Sequence, residues 1–220
     1  CPTQSRVTRM KALLLALLAL VAAPFALQAD EVKYEEGTHY QLVTPAVAVA
    51  DPSKIEVVEM FWYGCPHCFH MDPLVAEWLK GKPADVDFHR TPAVFAQQWV
   101  PHARAFYAAE ALGVLEKLHK PLFDAMHVDN RRLFDEDSLV QFAGEVGIKA
   151  DDFRQAFDGP TVDAKVKKAV LATRDYGIDG VPSFIVNGKY RVTASMAGSQ
   201  EAILKVIDFL VAKERVAGKH

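Results

Sequence analysis

Hydrophobic and polar residues along the chain first follow a strand pattern and then a helix pattern. Residues Ile55–Tyr63 form a β-branched and aromatic run that predicts a buried central strand. From Pro66 to about Lys80 the apolar side chains recur at helical spacing, and Pro73 is expected to kink that helix. A second, short strand is predicted at 86–91. The three segments together predict a β-α-β unit.

The middle of the chain, from residue 97 to residue 176, has only helical patterns. Each of its segments carries an apolar stripe on one side. The predicted helices fall at 99–112, 116–128, 137–147, 150–158 and 161–177. Asp135 or Asp137, and Asp151, are candidate N-caps, because a short carboxylate side chain can accept hydrogen bonds from the first helical turn. The pattern therefore predicts a continuous block of helices.

The last part of the chain returns to strands. Residues 180–192 contain two short runs on either side of Asn187-Gly188, which predicts a β-hairpin. Residues 199–212 have an apolar stripe and predict a closing amphipathic helix. This order of elements predicts an α/β fold, in which a central mixed sheet has helices on both faces and is interrupted in sequence by an all-helical insertion.

The first residues have the pattern of a bacterial export signal. Basic residues flank Met10, and a run rich in Leu and Ala follows and ends in small residues. The run is short for a membrane span of about 20 residues, and Pro24 interrupts it. We predict that 1–29 comprises upstream residues and a signal peptide cleaved after Ala29 or Ala26. Such a signal predicts a periplasmic location of the Gram-negative type.

The remaining chain is predicted to divide into three segments. Residues 30–95 would form the first part of the α/β domain, 96–171 the helical insertion, and 172–220 the second part. The composition, 50% hydrophobic and 24% charged over 220 residues, suits one globular unit with a large core and an inserted lobe. The net charge of -3 provides no strongly basic face, so nucleic-acid binding is not predicted.

Two cysteines, Cys65 and Cys68, remain once the predicted signal is removed, and three roles compete for them. A structural cross-link between them would close too short a loop to add much stability. A zinc site usually has about four protein ligands, commonly in two separated pairs, and the chain has no second cysteine pair. Covalent haem needs a histidine directly after the second cysteine, where Phe69 stands. A redox-active pair is therefore favoured, and neither a metal nor a cofactor is predicted.

The motif Cys65-Pro66-His67-Cys68 is expected at the turn from the predicted strand into the helix. Pro66 suits the first helical position, where its missing N–H costs nothing. Unpaired N–H groups of that turn and the helix dipole favour the thiolate of Cys65, the form that attacks disulfides and leaves from them. His67 can add a hydrogen bond or a positive charge to the same sulfur. Cys68, one turn further on, is expected to face inward.

Glu59 is an acidic residue in the otherwise apolar strand, before Cys65. Its carboxyl lies either at the exposed edge of the strand or buried beneath the cysteines, and alternation with Glu56 does not decide between the two. If it is buried without a cationic partner, its pKa is expected to rise, and it can then pass a proton to or from Cys68.

These features together resemble a known family. The CPHC motif, the long helical insertion and Val181-Pro182 near the last strands occur in the order typical of the DsbA family, the bacterial periplasmic thiol:disulfide oxidants of the thioredoxin superfamily. The resemblance covers almost the whole predicted mature chain. It implies a thioredoxin-like fold, an unusually acidic thiol and an oxidising disulfide.

The resemblance also implies a role for each residue of the motif. Cys65 would be the attacked and attacking sulfur, Cys68 the buried resolving sulfur, and His67 the chief tuner of Cys65. Glu59 matches the family's buried acid, and Pro73 matches its helix kink.

Two neighbouring residues complete the site that the resemblance implies. Pro182 matches the cis-proline that faces the active-site disulfide in this fold. The backbone of Val181 would pair with an extended substrate segment, a short β-augmentation that does not depend on substrate sequence. Trp62 and Phe69 are candidates for additional apolar surface around the cysteines.

The implied activity is the oxidation of dithiols in unfolded or newly exported proteins, through a mixed disulfide at Cys65. The reduced enzyme would be reoxidised by a membrane quinone-linked oxidase of the DsbB type, and a monomer is expected. Two alternatives stay open at this point. One is a disulfide isomerase or reductase of the same fold, and the other is a holdase-type peptide-binding module that uses its cysteines only incidentally.

Overall fold

The computed structural model describes residues 33–218, so the predicted signal segment and its cleavage sites lie outside the described residues. The strands are β1 (Gln41–Leu42), β2 (Ile55–Phe61), β3 (Val86–Pro92), β4 (Ser183–Val186) and β5 (Tyr190–Thr193). The helices are α1 (Pro66–Lys80), α2 (Val100–Ala111), α3 (Leu115–His127), α4 (Glu136–Glu145), α5 (Ala150–Phe157), α6 (Pro160–Asp175), α7 (Ala194–Ala197) and α8 (Gln200–Ala217). A short 3₁₀ helix, Gln97–Trp99, precedes α2. Among these described residues, no helix is both long and apolar enough to cross a membrane.

The strands of the described chain form one mixed sheet in the order β1-β5-β4-β2-β3. β2 pairs in parallel with β3 and antiparallel with β4. All residues of β2 are buried, as expected for a central strand that is covered on both faces. The predicted mixed sheet is therefore confirmed, although β1 has no counterpart in the sequence analysis because it is two residues long and exposed.

Helices cover both faces of the sheet. On one face, α1 and α8 pack against β2 and β4 through residues such as Val75 and Ile207. On the other face, the end of α6 and the segment after it pack against the opposite side of the same strands through Tyr176 and Ile178. The strand that leads to the cysteines is thus held from above and below by apolar contacts.

The turn between β4 and β5 confirms the predicted hairpin. Asn187 and Gly188 both have positive φ, at 51° and 63°, as a two-residue hairpin turn of the primed type requires. A Cβ at Gly188 would lie 1.9 Å from the carbonyl oxygen of Val47. Glycine is therefore needed at this position both for its backbone conformation and for the close approach of the neighbouring segment.

The helices from α2 to α6 pack around a second apolar core, which extends to Phe61, Tyr63 and Cys68 in the motif region. Asp135 is the N-cap of α4, in a capping box with Ser138, as predicted. The remaining cap predictions are less accurate. The N-cap of α5 is Lys149, and Asp151 lies inside the first turn of that helix, where a carboxylate still interacts favourably with the helix dipole.

Two predicted boundaries differ from the observed elements. The strand predicted at Ile55–Tyr63 ends at Phe61. α6 continues to Asp175, across the boundary predicted between 171 and 172. The division into 30–95, 96–171 and 172–220 stays a prediction, and a cut at 171 would divide a continuous helix.

The closing helix α8 is longer than predicted because its last turns bind the hairpin. Glu214 is buried there, with 6% of its surface exposed. Its carboxylate accepts hydrogen bonds from the side chains of Asn187, Lys189 at 2.6 Å and Tyr190 at 2.9 Å. The Glu214 carboxylate thus connects the last turns of α8 to the β4–β5 turn.

Changing Glu214 to alanine is expected to lower the free energy of unfolding by about 2 kcal/mol, because the buried Tyr190 hydroxyl and the partly buried Asn187 amide lose a charged acceptor. Chemical denaturation followed by circular dichroism measures this. Lys205→Ala, at an exposed position of the same helix, is the matched control and should change stability by less than about 0.5 kcal/mol. Equal stability of the two variants would contradict the role of Glu214.

Candidate active site

Cys65 lies at the start of α1, just after the buried strand β2. It is the N-cap residue of the helix, with extended backbone angles, and Pro66 follows at the first helical position. Its N–H donates to the carbonyl of Trp62 at 3.0 Å, which closes the turn from strand to helix. A Cβ at Gly64 would lie 2.4 Å from the Trp62 ring, so this turn requires glycine. The strand, the turn and the proline together place Cys65 at the helix N-terminus.

The surroundings of Cys65 favour its thiolate. Both cysteines are free thiols in this structure, which therefore represents the reduced form. The pKa of Cys65 is lowered from 9.0 to about 6, first by a hydrogen bond from the Cys68 thiol and then by the backbone N–H groups of Cys68 and His67. Burial opposes this shift without cancelling it.

The charge of His67 is one of the influences that lower the Cys65 pKa, together with the hydrogen bonds from Cys68 and from the backbone N–H groups. Its role as the chief tuner of Cys65 stays a prediction. The carbonyl of His67 accepts a hydrogen bond from Gln200 Nε2 at 2.6 Å. The first residue of α8 therefore contacts the middle of the cysteine motif.

Cys68 has the opposite environment. It is fully buried in the core beneath the motif. Burial raises its pKa well above 9.0, and the negative charges of Cys65 and Glu59 raise it further. The two sulfurs of one motif are thus unequal, since one is stable as an anion and the other as a protonated thiol.

The Val181–Pro182 peptide bond, just before β4, is cis. The Val181 carbonyl oxygen lies 3.4 Å from the Cys65 Sγ, which can donate to it in the thiol form. A groove of about 290 Å³ opens beside this peptide bond. Its walls include His67, Pro182, Met196 and Gln200. An exposed, partly apolar surface therefore lies next to the reactive sulfur.

Glu59 is buried beneath the motif, with 2% of its surface exposed, and it has a cationic partner. Arg90 faces it across the parallel β2–β3 pair and donates from Nε to Glu59 Oε2 at 2.9 Å. Burial still raises the pKa of Glu59 to about 7, because desolvation outweighs the attraction of Arg90 and the charge of Asp72 acts in the same direction as burial. The structure therefore places Glu59 in the buried alternative, and its pKa is raised even though Arg90 is a cationic partner.

Arg90 is shared between two acids. Its Nη2 donates to Asp72 Oδ1 at 3.0 Å. The same Asp72 oxygen lies 3.2 Å from Nε2 of His119, and Nδ1 of that ring lies 2.8 Å from the Tyr63 hydroxyl. A continuous line of polar contacts thus begins at Glu59, passes through His119 in the helical block and ends at Tyr63, just after β2.

Known proteins match this chain in sequence and in structure. A family model described as DSBA-like thioredoxin domain matches residues 81–207. The thiol:disulfide interchange protein DsbA of Pseudomonas syringae pv. tomato is 38% identical over 211 residues, covering 96% of this chain and 99% of the relative. DsbA of Azotobacter vinelandii is 41% identical, covering 82% of this chain and 85% of that relative. The crystal structure of Pseudomonas aeruginosa DsbA aligns with a TM-score of 0.82 at 37% identity, over 85% of this chain and 97% of that structure. The chain belongs to the DsbA family.

Membership of the DsbA family confirms the predicted thioredoxin-like fold and thiol:disulfide oxidoreductase activity. The family model begins at residue 81, after the cysteine motif. The relatives extend the match over nearly the whole chain, so the similarity is not confined to the helical block. Family proteins act on substrate proteins that contain cysteines.

Several side chains of this DsbA-family site are absent from the sequence interpretation: Asp72, Arg90, His119 and Gln200. A signal existed for Asp72, because it follows Cys68 by one helical turn and so lies on the same face of α1. Arg90 could be assigned only with the register of the parallel strands. His119 and Gln200 come from distant segments, and nothing in the sequence pattern brings them to the motif.

Proposed function

We propose that the protein is a periplasmic dithiol oxidase that donates a Cys65–Cys68 disulfide to newly exported proteins. The unequal environments of the two sulfurs are the observation that carries the proposal. A sulfur that is stable as a thiolate is a good leaving group, and stabilising the reduced form makes the disulfide a stronger oxidant. Only Cys65 is accessible to a substrate, because Cys68 is fully buried.

The reaction follows from these environments. A substrate thiolate attacks Sγ of Cys65 in the oxidised enzyme, which breaks the disulfide and forms a mixed disulfide. Cys68 leaves as a buried thiolate and takes a proton, for which Glu59 is the donor because its pKa is about 7. A second substrate thiolate then attacks the substrate sulfur of the mixed disulfide, and Cys65 leaves as a thiolate. The substrate loses two electrons as its disulfide forms, and the enzyme gains them.

The groove beside the cis peptide bond is where the substrate chain would bind. An extended segment can pair with the backbone of Val181 and pass over Pro182, next to Cys65. Backbone hydrogen bonds do not depend on side-chain identity, so this mode of binding accepts many unfolded sequences. Trp62 is less suited to this surface, since its ring stacks on Trp99 at a centroid distance of 4.1 Å.

The cellular setting is part of the same proposal. The signal-like segment supports export to the periplasm, and the enzyme would be returned to its disulfide form by a membrane quinone-linked oxidase of the DsbB type. Cys65, Cys68, Glu59 and the groove all come from one chain, so the reaction needs no second copy and a monomer suffices.

A redox titration of the purified enzyme against glutathione tests the direction of the reaction. The Cys65–Cys68 couple is expected at a more oxidising potential than glutathione, since each unit of thiol pKa depression corresponds to about 30 mV. A couple more reducing than glutathione would favour the isomerase or reductase alternative and overturn the oxidase. Full activity of a double cysteine variant in cells would favour the holdase.

A further inference from the structure

His119 connects the helical block to the polar groups beneath the cysteines. It lies on α3, and its side chain is 9% exposed. One ring nitrogen lies 3.2 Å from Asp72 on α1, and the other lies 2.8 Å from the Tyr63 hydroxyl, just after β2. A buried histidine with both nitrogens engaged by different elements is held in one orientation.

The charge of Asp72 fixes the direction of these hydrogen bonds. Although burial raises its pKa, hydrogen bonding from His119 and the charge of Arg90 lower it below 3.8, so Asp72 is a carboxylate that only accepts. His119 must therefore donate to it from Nε2. Burial lowers the pKa of His119, so the ring is neutral at pH 7 and its Nδ1 accepts from the Tyr63 hydroxyl.

Asp72 in turn competes with Glu59 for the hydrogen bonds of the Arg90 guanidinium. The guanidinium donates to Asp72 at 3.0 Å and to Glu59 at 2.9 Å, so the partly buried Asp72 and the buried Glu59 compete for one cation. The hydrogen bond from His119 supplies one of the donors that the Asp72 carboxylate needs. Arg90 can therefore keep its second hydrogen bond, to Glu59. Without that bond, Arg90 would be drawn toward Asp72, and Glu59 would lose a partner.

We propose that His119 is a positioning residue for disulfide exchange, which satisfies Asp72 and thereby keeps Arg90 shared with Glu59 beneath Cys68. In this role, a side chain of the helical insertion influences the reaction of the cysteines, which lie in the thioredoxin-like part of the chain. It rests on the proposed function only in the step where Glu59 gives its proton to Cys68. The arrangement of the four side chains stands independently of that step.

The groups around His119 are favourable for such a role. The charged or titratable side chains that act on it are Tyr63, Asp72, Arg90 and, from its own helix, Glu116. The rings of Phe61, Phe106 and Phe123 pack edge-on against the imidazole at 5.2–6.2 Å. An aromatic replacement can therefore keep the packing and remove only the hydrogen bonds.

The test compares His119→Phe with His119→Gln. Phenylalanine fills the aromatic cluster but donates nothing, whereas the glutamine amide can reach the position of Nε2 and donate to Asp72. The Glu59 carboxyl is titrated by carbon NMR in the reduced full-length enzyme. We expect His119→Phe to raise the Glu59 midpoint by about half a pH unit or more, and His119→Gln to stay near wild type.

A kinetic readout accompanies the titration. In single-turnover oxidation of a dithiol peptide, the rate is expected to fall at high pH because Glu59 loses the proton that it donates. The pH at which the rate falls should be higher in His119→Phe, by the same amount as the Glu59 midpoint. An unchanged Glu59 midpoint in folded His119→Phe, or an equal shift in His119→Gln, would overturn the proposal. A shifted midpoint with an unchanged rate profile would leave the positioning role intact and refute proton donation by Glu59.

A second variant, Tyr63→Phe, tests the proposal independently if His119→Phe does not fold. Tyr63→Phe removes the hydroxyl that donates to His119 Nδ1, so the ring is held less firmly in the orientation that donates to Asp72. We expect a smaller upward shift of the Glu59 midpoint, of about a few tenths of a pH unit. Circular dichroism establishes that each variant is folded. A wild-type Glu59 midpoint in Tyr63→Phe would show that the Tyr63 hydroxyl is not needed to hold His119 against Asp72 and would overturn this part of the proposal.

Discussion

Changing Cys65 to serine is expected to reduce dithiol oxidation to the uncatalysed rate, a loss of at least about a thousandfold. A serine hydroxyl cannot form a disulfide with Cys68, so the variant has no bond for a substrate thiolate to attack. The effect concerns chemistry and not folding, because oxygen replaces sulfur at a half-buried N-cap position where serine is well tolerated. Stopped-flow oxidation of a peptide with two cysteines measures the rate.

Changing Cys68 to alanine gives the informative contrast. This variant keeps Cys65 accessible, and its thiolate can attack the disulfide of an oxidised substrate, which releases one substrate thiolate and leaves a mixed disulfide that Cys68 can no longer attack. Covalent adducts at Cys65 are therefore expected to accumulate, as non-reducing gel electrophoresis and mass spectrometry would detect. If either single variant still oxidised the peptide at the wild-type rate, the mechanism through Cys65 would be wrong.

The elements that position the cysteines could be predicted because their signals are local. The apolar run of β2, Pro66 at the first helical position and the Asn187-Gly188 turn each specify a backbone conformation within a few residues. Hydrophobic periodicity in the middle of the chain likewise identifies helices without knowledge of their partners. The fold class followed from the order of these elements.

The groups that tune the cysteines could not be predicted in the same way. Glu59 is an unusual acid in an apolar strand, but its partner Arg90 depends on strand register, and the contact of Arg90 with Asp72 depends on the packing of α1 against the sheet. His119 reaches the motif through the packing of α3, across a long interval of sequence. Electrostatic balance at a buried site depends on distances and desolvation, which sequence patterns do not report.

The buried position of Glu59 has a consequence for stability. Its pKa is about 7 in the folded reduced protein, above its ordinary value of 4.5. Because the folded-state pKa is the higher one, the contribution to stability is fully present below about pH 4.5 and is lost as the pH rises through about 7. We expect wild type to lose about 3 kcal/mol of unfolding free energy relative to Glu59→Gln between about pH 4 and about pH 8.

Urea denaturation of both reduced proteins at several pH values measures this difference. The comparison cancels the other titrating groups, since only residue 59 differs and its neighbours Arg90 and Asp72 are unchanged. Glu77→Gln on α1 is the matched control, because its side chain is 73% exposed and its replacement should alter stability equally at both ends of the pH range. A constant difference between wild type and Glu59→Gln would mean that Arg90 fully compensates the buried charge, and Glu59 would then be too acidic to return a proton to Cys68.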